Sequence, residues 1–418
     1  MLMRKQIFLI LSLLLLLSGC NEEGLPNIPA FKKNKTADRT LLVYMMAENS
    51  LSGMYQDYAQ SDLNEIKQGL AAIGDNSRLF VYLDNNDAAV LPAIYQYHYY
   101  NDMLYENKVY SFEEDLCSSD TAVLGDVLDF ILDKYPTKEL DIIMWSHADG
   151  WLRGPERTSP HRSVGIDNGK NNYTNNVVTT IEMEELAALL KGLPLKVDRL
   201  MFDACLMQCV EVAYALRDAA EWVIASPAEI PGQGAPYDRI VPAFLSGYDG
   251  VEGIMDEYSG YYDSSVSGGV VLSAVRTAHM QELADVTAEY VKKYLAKGNS
   301  NVYDGMFAYV PGGAYDSMPS YPAYYDLNSV MKSCLAADEY ARWRTALDKA
   351  VPYLNVSATK CWYSMLVTNR NHFIDVDMEE CCGMSMYVPQ EAAFCDKFNE
   401  DFKTAEWYRA AGWDVAGW

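Results

Sequence analysis

An α/β sandwich built on a mostly parallel sheet is the fold class this sequence predicts, and three observations predict it. Short apolar runs rich in β-branched and aromatic residues recur through the first half of the chain. Segments of helical period separate them. The runs are apolar throughout rather than alternating, as strands covered on both faces must be. Residues 41–45 make the first such strand, followed by a helical stretch at 57–72. Residues 78–83 make the second, 121–135 a helix, and 141–145 the third. A helix at 182–192 leads to a strand at 200–202, and a helix at 206–220 to a strand at 222–225. Beyond about residue 245 the pattern loosens into a strand at 269–274, a helix at 278–296 and a Tyr/Pro/Gly-rich stretch at 301–325. A helix at 337–349, a strand at 383–388 and a helical segment ending near Trp413 close the chain. Residues 40–245 therefore read as the α/β core, and 246–418 as sheet additions with a smaller, partly helical C-terminal subdomain.

Composition narrows the functional classes. The 418 residues include 33 basic and 58 acidic side chains, a formal charge of −25, with half the chain hydrophobic. That balance excludes a disordered tail, a coiled coil and a collagen-like chain. The acidic excess argues against nucleic acid as a partner, because phosphate would be repelled over most of the surface. Arg4 and Lys5 precede an apolar run at 7–17 that ends in Leu17, Ser18, Gly19 and Cys20, the pattern of a secretory signal over 1–19. Its last four residues resemble a bacterial lipobox, which implies lipidation of Cys20, a polar tether over 20–39 and residence on the cell envelope, at the outer membrane or cell surface. Without Arg4 and Lys5, 31 basic residues face 58 acidic ones and the charge becomes −27.

Eight cysteines follow Cys20, at 117, 205, 209, 334, 361, 381, 382 and 395. No Cys/His spacing suits zinc, no metal ligand is assigned, and no disulfide is assigned. Cys381 and Cys382 read as small buried hydrophobes in a strand. The stretch 148–180 is too long for a plain connection in a compact α/β fold. It carries four basic residues, Arg153, Arg157, Arg162 and Lys170.

Chemistry in a parallel sheet gathers beyond the carboxyl ends of the strands. With its last residues counted in, the strand at 141–146 runs straight into His147 and the strand at 199–204 straight into Cys205. One crossover containing one helix joins them, so they are expected to be parallel neighbours about 5 Å apart. A thiol beside an imidazole is a nucleophile beside its base. Cys205 also opens the helix expected at 206–220, whose N-terminal dipole and free amides favour its thiolate. His98, His161, His279 and His372 read as surface or loop residues.

Residues 145–151 (Trp-Ser-His-Ala-Asp-Gly-Trp), 202–207 (Phe-Asp-Ala-Cys-Leu-Met) and 211–214 (Glu-Val-Ala-Tyr) resemble the two signature blocks of clostripain-like cysteine peptidases. The strand at 42–45 with Asn49, Leu51 and Ser52, Ser226 and Pro227, residues 230–232 and residues 382–387 resemble theirs too. The resemblance implies a caspase-like α/β/α sandwich with His147 and Cys205 as the catalytic pair. It also implies an oxyanion hole from the backbone amides of Cys205 and Ala148. Ala148 stands where the family usually has Gly, and it would be strained if the position required positive φ. Asp203 is implied to line the pocket for Arg or Lys before the scissile bond, which suits carboxylate chemistry; capping of the following helix is its other possible role. Self-cleavage between the His and the Cys is further implied, with Arg162 preferred and Arg157, Arg153 and Lys170 as alternatives. Calcium is implied only by some members, since no loop here has calcium spacing.

The leading expectation is thus an exported, lipid-anchored cysteine endopeptidase acting on proteins or peptides at Arg or Lys. It would be a monomer, made of two associated chains after processing, and would meet the membrane only through its lipid. A non-catalytic surface lipoprotein that captures glycans or peptides is one alternative, given 31 Tyr and 8 Trp. An inactive peptidase homologue is another. The intact trio of His147, Cys205 and Asp203 disfavours it.

Overall fold

Leu41 to Met46 are fully buried on both faces of their strand, and that strand lies in the middle of the sheet. The computed structural model describes residues 35–53, 56–73, 76–87, 89–100, 102–152, 163–169, 179–246, 250–263, 269–299, 305–310, 323–362, 373–392 and 395–418. The leader, Cys20 and the candidate cut sites Arg153, Arg157, Arg162 and Lys170 lie outside these residues, as do His161 and His372. The nine strands of the central sheet are β1 (Ala37–Ala47), β2 (Ser77–Asn85), β3 (Ala93–Tyr100), β4 (Met103–Ser111), β5 (Thr137–Trp145), β6 (Val197–Asp203), β7 (Ala220–Ala225), β8 (Val271–Arg276) and β9 (Tyr353–Val356). Their order is β9-β8-β7-β6-β5-β1-β2-β3-β4. The central five, β7 to β2, run parallel, and antiparallel pairs close both edges.

The expected fold class is borne out. Each of the five apolar runs read from the first half of the sequence is one of the five parallel strands. Period two divides their side chains between two cores. Leu42, Tyr44, Ile142, Met144, Leu200 and Phe202 face one layer, while Leu41, Val43, Ile143, Trp145 and Met201 face the other. The second layer is covered by helices α1 (Tyr58–Gly69), α5 (Tyr237–Ser246) and α6 (Gly250–Asp263). The first is covered by α2 (Thr121–Lys134), α3 (Met183–Lys191), α4 (Val210–Ala215) and α7 (Met280–Tyr294). Asp57 caps α1 through Gln60 N–H and Asp120 caps α2 through Ala122 N–H.

Several expectations are corrected. The helix expected at 206–220 spans only Val210–Ala215. The strand expected at 383–388 is reduced to Ser385–Met386, and Cys381 and Cys382 are buried but precede it. The hairpin β3–β4 was not foreseen. His98 lies inside β3 opposite Tyr105 and is buried, not a surface residue. Strands β8 and β9 come from the C-terminal part and extend the same sheet, in keeping with the sheet additions read for 246–418. Among the described residues all eight later cysteines are unbridged, and no helix is long and apolar enough to cross a membrane.

Candidate active site

Strands β5 and β6 pair in parallel with Met144 opposite Phe202 and Trp145 opposite Asp203. Two residues further along each chain, His147 and Cys205 emerge at the same level of the sheet's carboxyl edge. The single crossover between them carries α3, as read from the sequence. A cleft of about 460 Å³ opens there, lined by His147, Ala148, Asp203, Cys205, Glu229 and Trp362 among others. The structure therefore brings together the four site residues read from the sequence that lie among the described positions.

His147 Nε2 is 2.9 Å from Ser50 Oγ. Asn49 fixes the turn that carries Ser50: its amide donates to Met46 C=O at 2.7 Å and to Ile166 C=O at 3.0 Å, and its Oδ1 accepts from Leu51 N–H at 2.9 Å. Ser146 Oγ donates to Met46 C=O and accepts from Ile166 N–H, each at 3.0 Å. These bonds tie the His147 segment to the end of β1 and to the short strand Val164–Asp167. Ala148 bridges Val164 there, with Gly165 N–H on His147 C=O and Asp149 N–H on Ser163 C=O. In such a bridge the flanking groups are used, so the Ala148 amide points away from that ladder. Ala148 does not have positive φ, so the strain feared from its Cβ does not arise.

Cys205 occupies a turn five residues before the first residue of α4, with Leu206 at φ 63° immediately after it. The helix-dipole expectation for its thiolate is therefore not met. Burial first, and then the charge of Glu229, push the thiol well above its ordinary range. Ile230 N–H donates to Sγ at 3.4 Å. The thiol is held protonated at rest.

Asp203 closes the floor of the cleft on the α5–α6 side and is only 3% exposed. Its carboxylate accepts from Ala235 N–H at 3.0 and 3.1 Å and from the Tyr237 hydroxyl at 2.9 Å. It thus fastens the 230s loop and does not cap the following helix. Gly234, at φ 59°, lets the loop come this close, since a Cβ there would lie 2.7 Å from Asp203 Oδ2. Burial lifts the Asp203 carboxyl to about 6, so it is ionised at neutral pH. Beneath it, Asp62 accepts from Trp145 Nε1 at 2.7 Å. Burial and then the Asp203 charge raise Asp62 to about 9. One buried carboxyl is neutral and its neighbour charged, so the floor carries a single negative charge at pH 7.

Sequence reasoning missed Ser50, Glu229 and Asp62. For Asp62 a signal existed: it shares the buried face of α1 with Ala59, Leu63 and Ile66, where a carboxylate is out of place.

A thiol and an imidazole on adjacent carboxyl ends of a parallel α/β sheet define a caspase-like cysteine peptidase. More particularly, the sequence matches the clostripain family, the C11 peptidases, over residues 43–418, and the chain belongs to that family. Clostripain of Hathewaya histolytica is 27% identical over 242 residues, 51% of this chain and 44% of that protein, so the match spans less than half of the relative. An inactive zymogen C11 protease from Parabacteroides distasonis superposes with a TM-score of 0.74 at 27% identity, covering 92% of this chain and 99% of that one. A secreted C11 cysteine protease from Bacteroides thetaiotaomicron, solved with an irreversible peptide inhibitor, gives 0.75 at 27% identity, covering 91% of this chain and 100% of that one.

Proposed function

We propose that this chain is an exported cysteine endopeptidase that cleaves after Arg or Lys, with Cys205 as nucleophile, His147 as its base and Asp203 as the specificity residue. The observation that carries it is the β5–β6 register, which sets His147 and Cys205 level with each other above a cleft floored by a buried, ionised carboxylate. His147 takes the Cys205 proton as the thiol attacks the scissile carbonyl. The oxyanion is met by the backbone amides of Cys205 and Ala148. The imidazolium then gives its proton to the leaving amine, and water releases the acyl group by the same route in reverse. A resting thiol held protonated by burial and Glu229 is consistent with a proton that leaves only when substrate arrives.

The same reading extends to processing and location. Self-cleavage at Arg162, or at Arg157, Arg153 or Lys170, would leave two associated chains of one monomer. The first segment would direct export, as befits a family with secreted members, and Cys20 would carry a lipid on the cell envelope. Hydrolysis of Arg-, Lys- and Ala-terminated fluorogenic peptides by wild type and Cys205→Ala under reducing conditions tests the proposal. Thiol-dependent turnover of the Arg and Lys peptides, absent in the variant, is expected. Its absence in wild type, with and without calcium, overturns the enzyme reading, and turnover of the Ala peptide alone overturns the role of Asp203.

A further inference from the structure

Strand β5 lies between β1 and β6, so the residue that leaves its carboxyl end has a neighbour on each flank. His147 follows β5 by two residues. On the β6 flank stands Cys205, two residues past the end of its own strand. On the β1 flank stands Ser50, three residues past the end of its own. Ser50 Oγ is 2.9 Å from His147 Nε2, and both residues line the cleft. The two nitrogens of an imidazole leave the ring on different sides. With Nε2 turned to the β1 flank, Nδ1 is the nitrogen on the side of Cys205.

The turn that presents Ser50 is held at both ends. Asn49 N–H donates to Ala47 C=O at 2.8 Å, and Ser52 N–H donates to Asn49 C=O at 3.2 Å. The side-chain amide of Asn86, just past β2, donates to Ser52 C=O at 2.8 Å and also to Asn49 C=O. Tyr58 N–H, at the start of α1, donates to Leu51 C=O at 2.9 Å. The hydroxyl therefore sits on a scaffold fixed by β1, β2 and α1 before any substrate arrives.

Proton bookkeeping on the ring decides what the contact does. A neutral imidazole carries one N–H and one bare nitrogen, and only the bare one can take a proton. A serine hydroxyl can either donate or accept. If Ser50 donated to Nε2, the ring hydrogen would sit on Nδ1, facing the thiol, and the base would be blocked. If Ser50 accepts Nε2–H, Nδ1 is bare on the Cys205 side, and the same acceptor serves the imidazolium once Nδ1 is protonated. Ser50 is exposed, so its own O–H can turn to solvent.

We propose that Ser50 is a positioning residue for this base: its hydroxyl accepts Nε2–H, holds the ring and makes Nδ1 the atom that works on Cys205. The inference rests on the peptidase reading. As the thiol attacks, its S–H bond breaks and Nδ1 takes the proton. The sulfur electron pair forms the bond to the scissile carbonyl carbon, and the π pair moves to the oxygen. Nδ1 then gives its proton to the departing amine as the C–N bond breaks. Nε2–H stays on Ser50 throughout.

Two measurements test this, and one needs no turnover. Nitrogen NMR at alkaline pH follows the ring in the histidine-labelled full chain carrying Cys205→Ala, with His147→Gln identifying its signals. Hydrogen on Nε2 and a bare Nδ1 are expected. Ser50→Ala should raise the Nδ1–H form, and Ser50→Thr should keep the Nε2–H form. With Cys205 intact, Ser50→Ala should lower kcat for Arg peptides roughly 10- to 100-fold and leave KM within about threefold. Ser50→Thr should stay within about threefold of wild type. Ser50→Val, the shape of Thr without the hydroxyl, replaces Ser50→Ala in both measurements if the latter lacks a native far-ultraviolet spectrum. An Nδ1–H ring in the parent, or a tautomer unmoved by a folded hydroxyl-free variant, overturns the inference. So does a kcat within about threefold of wild type in such a variant. No turnover by wild type, with the expected tautomer present, supports the seating of the ring and overturns the peptidase reading alone.

Discussion

Replacing Asp203 by Asn removes the charge at the floor of the cleft with little change in shape. The Oδ2 position accepts from Ala235 N–H at 3.1 Å and from the Tyr237 hydroxyl at 2.9 Å, and an amide oxygen placed there keeps both bonds. The lost quantity is the pairing of a carboxylate with a guanidinium or ammonium. With its carboxyl at about 6, Asp203 is roughly nine-tenths ionised at pH 7. Hydrogen bonds to charged groups contribute about 1.5–3 kcal/mol each, so losing one or two in a dry pocket removes about 3–4 kcal/mol of transition-state binding. That is a fall of roughly 10²- to 10³-fold in kcat/KM for Arg peptides. An Ala-terminated peptide should change by less than about threefold. The unfolding temperature should hold or rise, because a buried charge has been removed. In wild type, the ratio of Arg to Ala turnover should decline as pH falls through about 6, where the carboxylate takes up its proton. Arg turnover within threefold of wild type in Asp203→Asn would refute the assignment.

Gly150→Ala should destabilise the fold and depress activity together. Its φ is 68° and the new Cβ would meet Leu206 C=O at 2.6 Å; a loss of about 2 kcal/mol or more is expected by thermal unfolding. Arg199→Met should cost about 2–3 kcal/mol in denaturant unfolding, since it removes the 2.5 Å pairing with the fully buried Asp141 at the far end of the sheet while Arg39 still holds that carboxylate at 2.8 Å. Burial raises Asp62 to about 9 and Glu211 to about 8, so at neutral pH the folded state binds more protons than the unfolded one. Their contribution to stability is full below about pH 4, where the unfolded carboxyls are protonated too, and is lost progressively as pH rises to 8 to 9. The Cys205→Ala chain should therefore melt higher at pH 5.5 than at pH 8.5 in chelator, and the opposite order would count against buried neutral carboxyls.

The parallel core and its two reactive strand ends were legible because burial on both faces leaves an unbroken apolar run, and because such a run must end at a definite residue. The hairpin β3–β4 signals itself only weakly: Tyr95, Tyr97 and Tyr99 share one face and alternate with Gln96 and His98, but tyrosine, polar at its tip, marks a buried face poorly. The helix after Cys205 proved short because residues 206–209 do other work. Leu206 adopts φ 63°, the Gln208 amide donates to Ser273 C=O at 2.7 Å, and Cys209 bridges Ser385. Cys382 and Gly383 donate to Asp326 and Tyr309 rather than to a ladder, which shortens the last strand. Ser50 and Glu229 join the cleft only because separate elements meet in space, and spacing along the chain holds no record of that.

The ladder between β5 and β6 has a consequence for any nick between them. A break within 153–162 would leave His147 on one chain and Cys205 on the other, with five paired positions of the central sheet holding them together. The folded body would lose only a covalent link. Its unfolded state would become two separate molecules, and refolding would depend on their concentration. A processed enzyme would therefore keep its shape as an inheritance from the uncut precursor, protected by the rate of unfolding rather than by an ability to reassemble at dilution. Each molecule would have one episode of folding, completed before the cut.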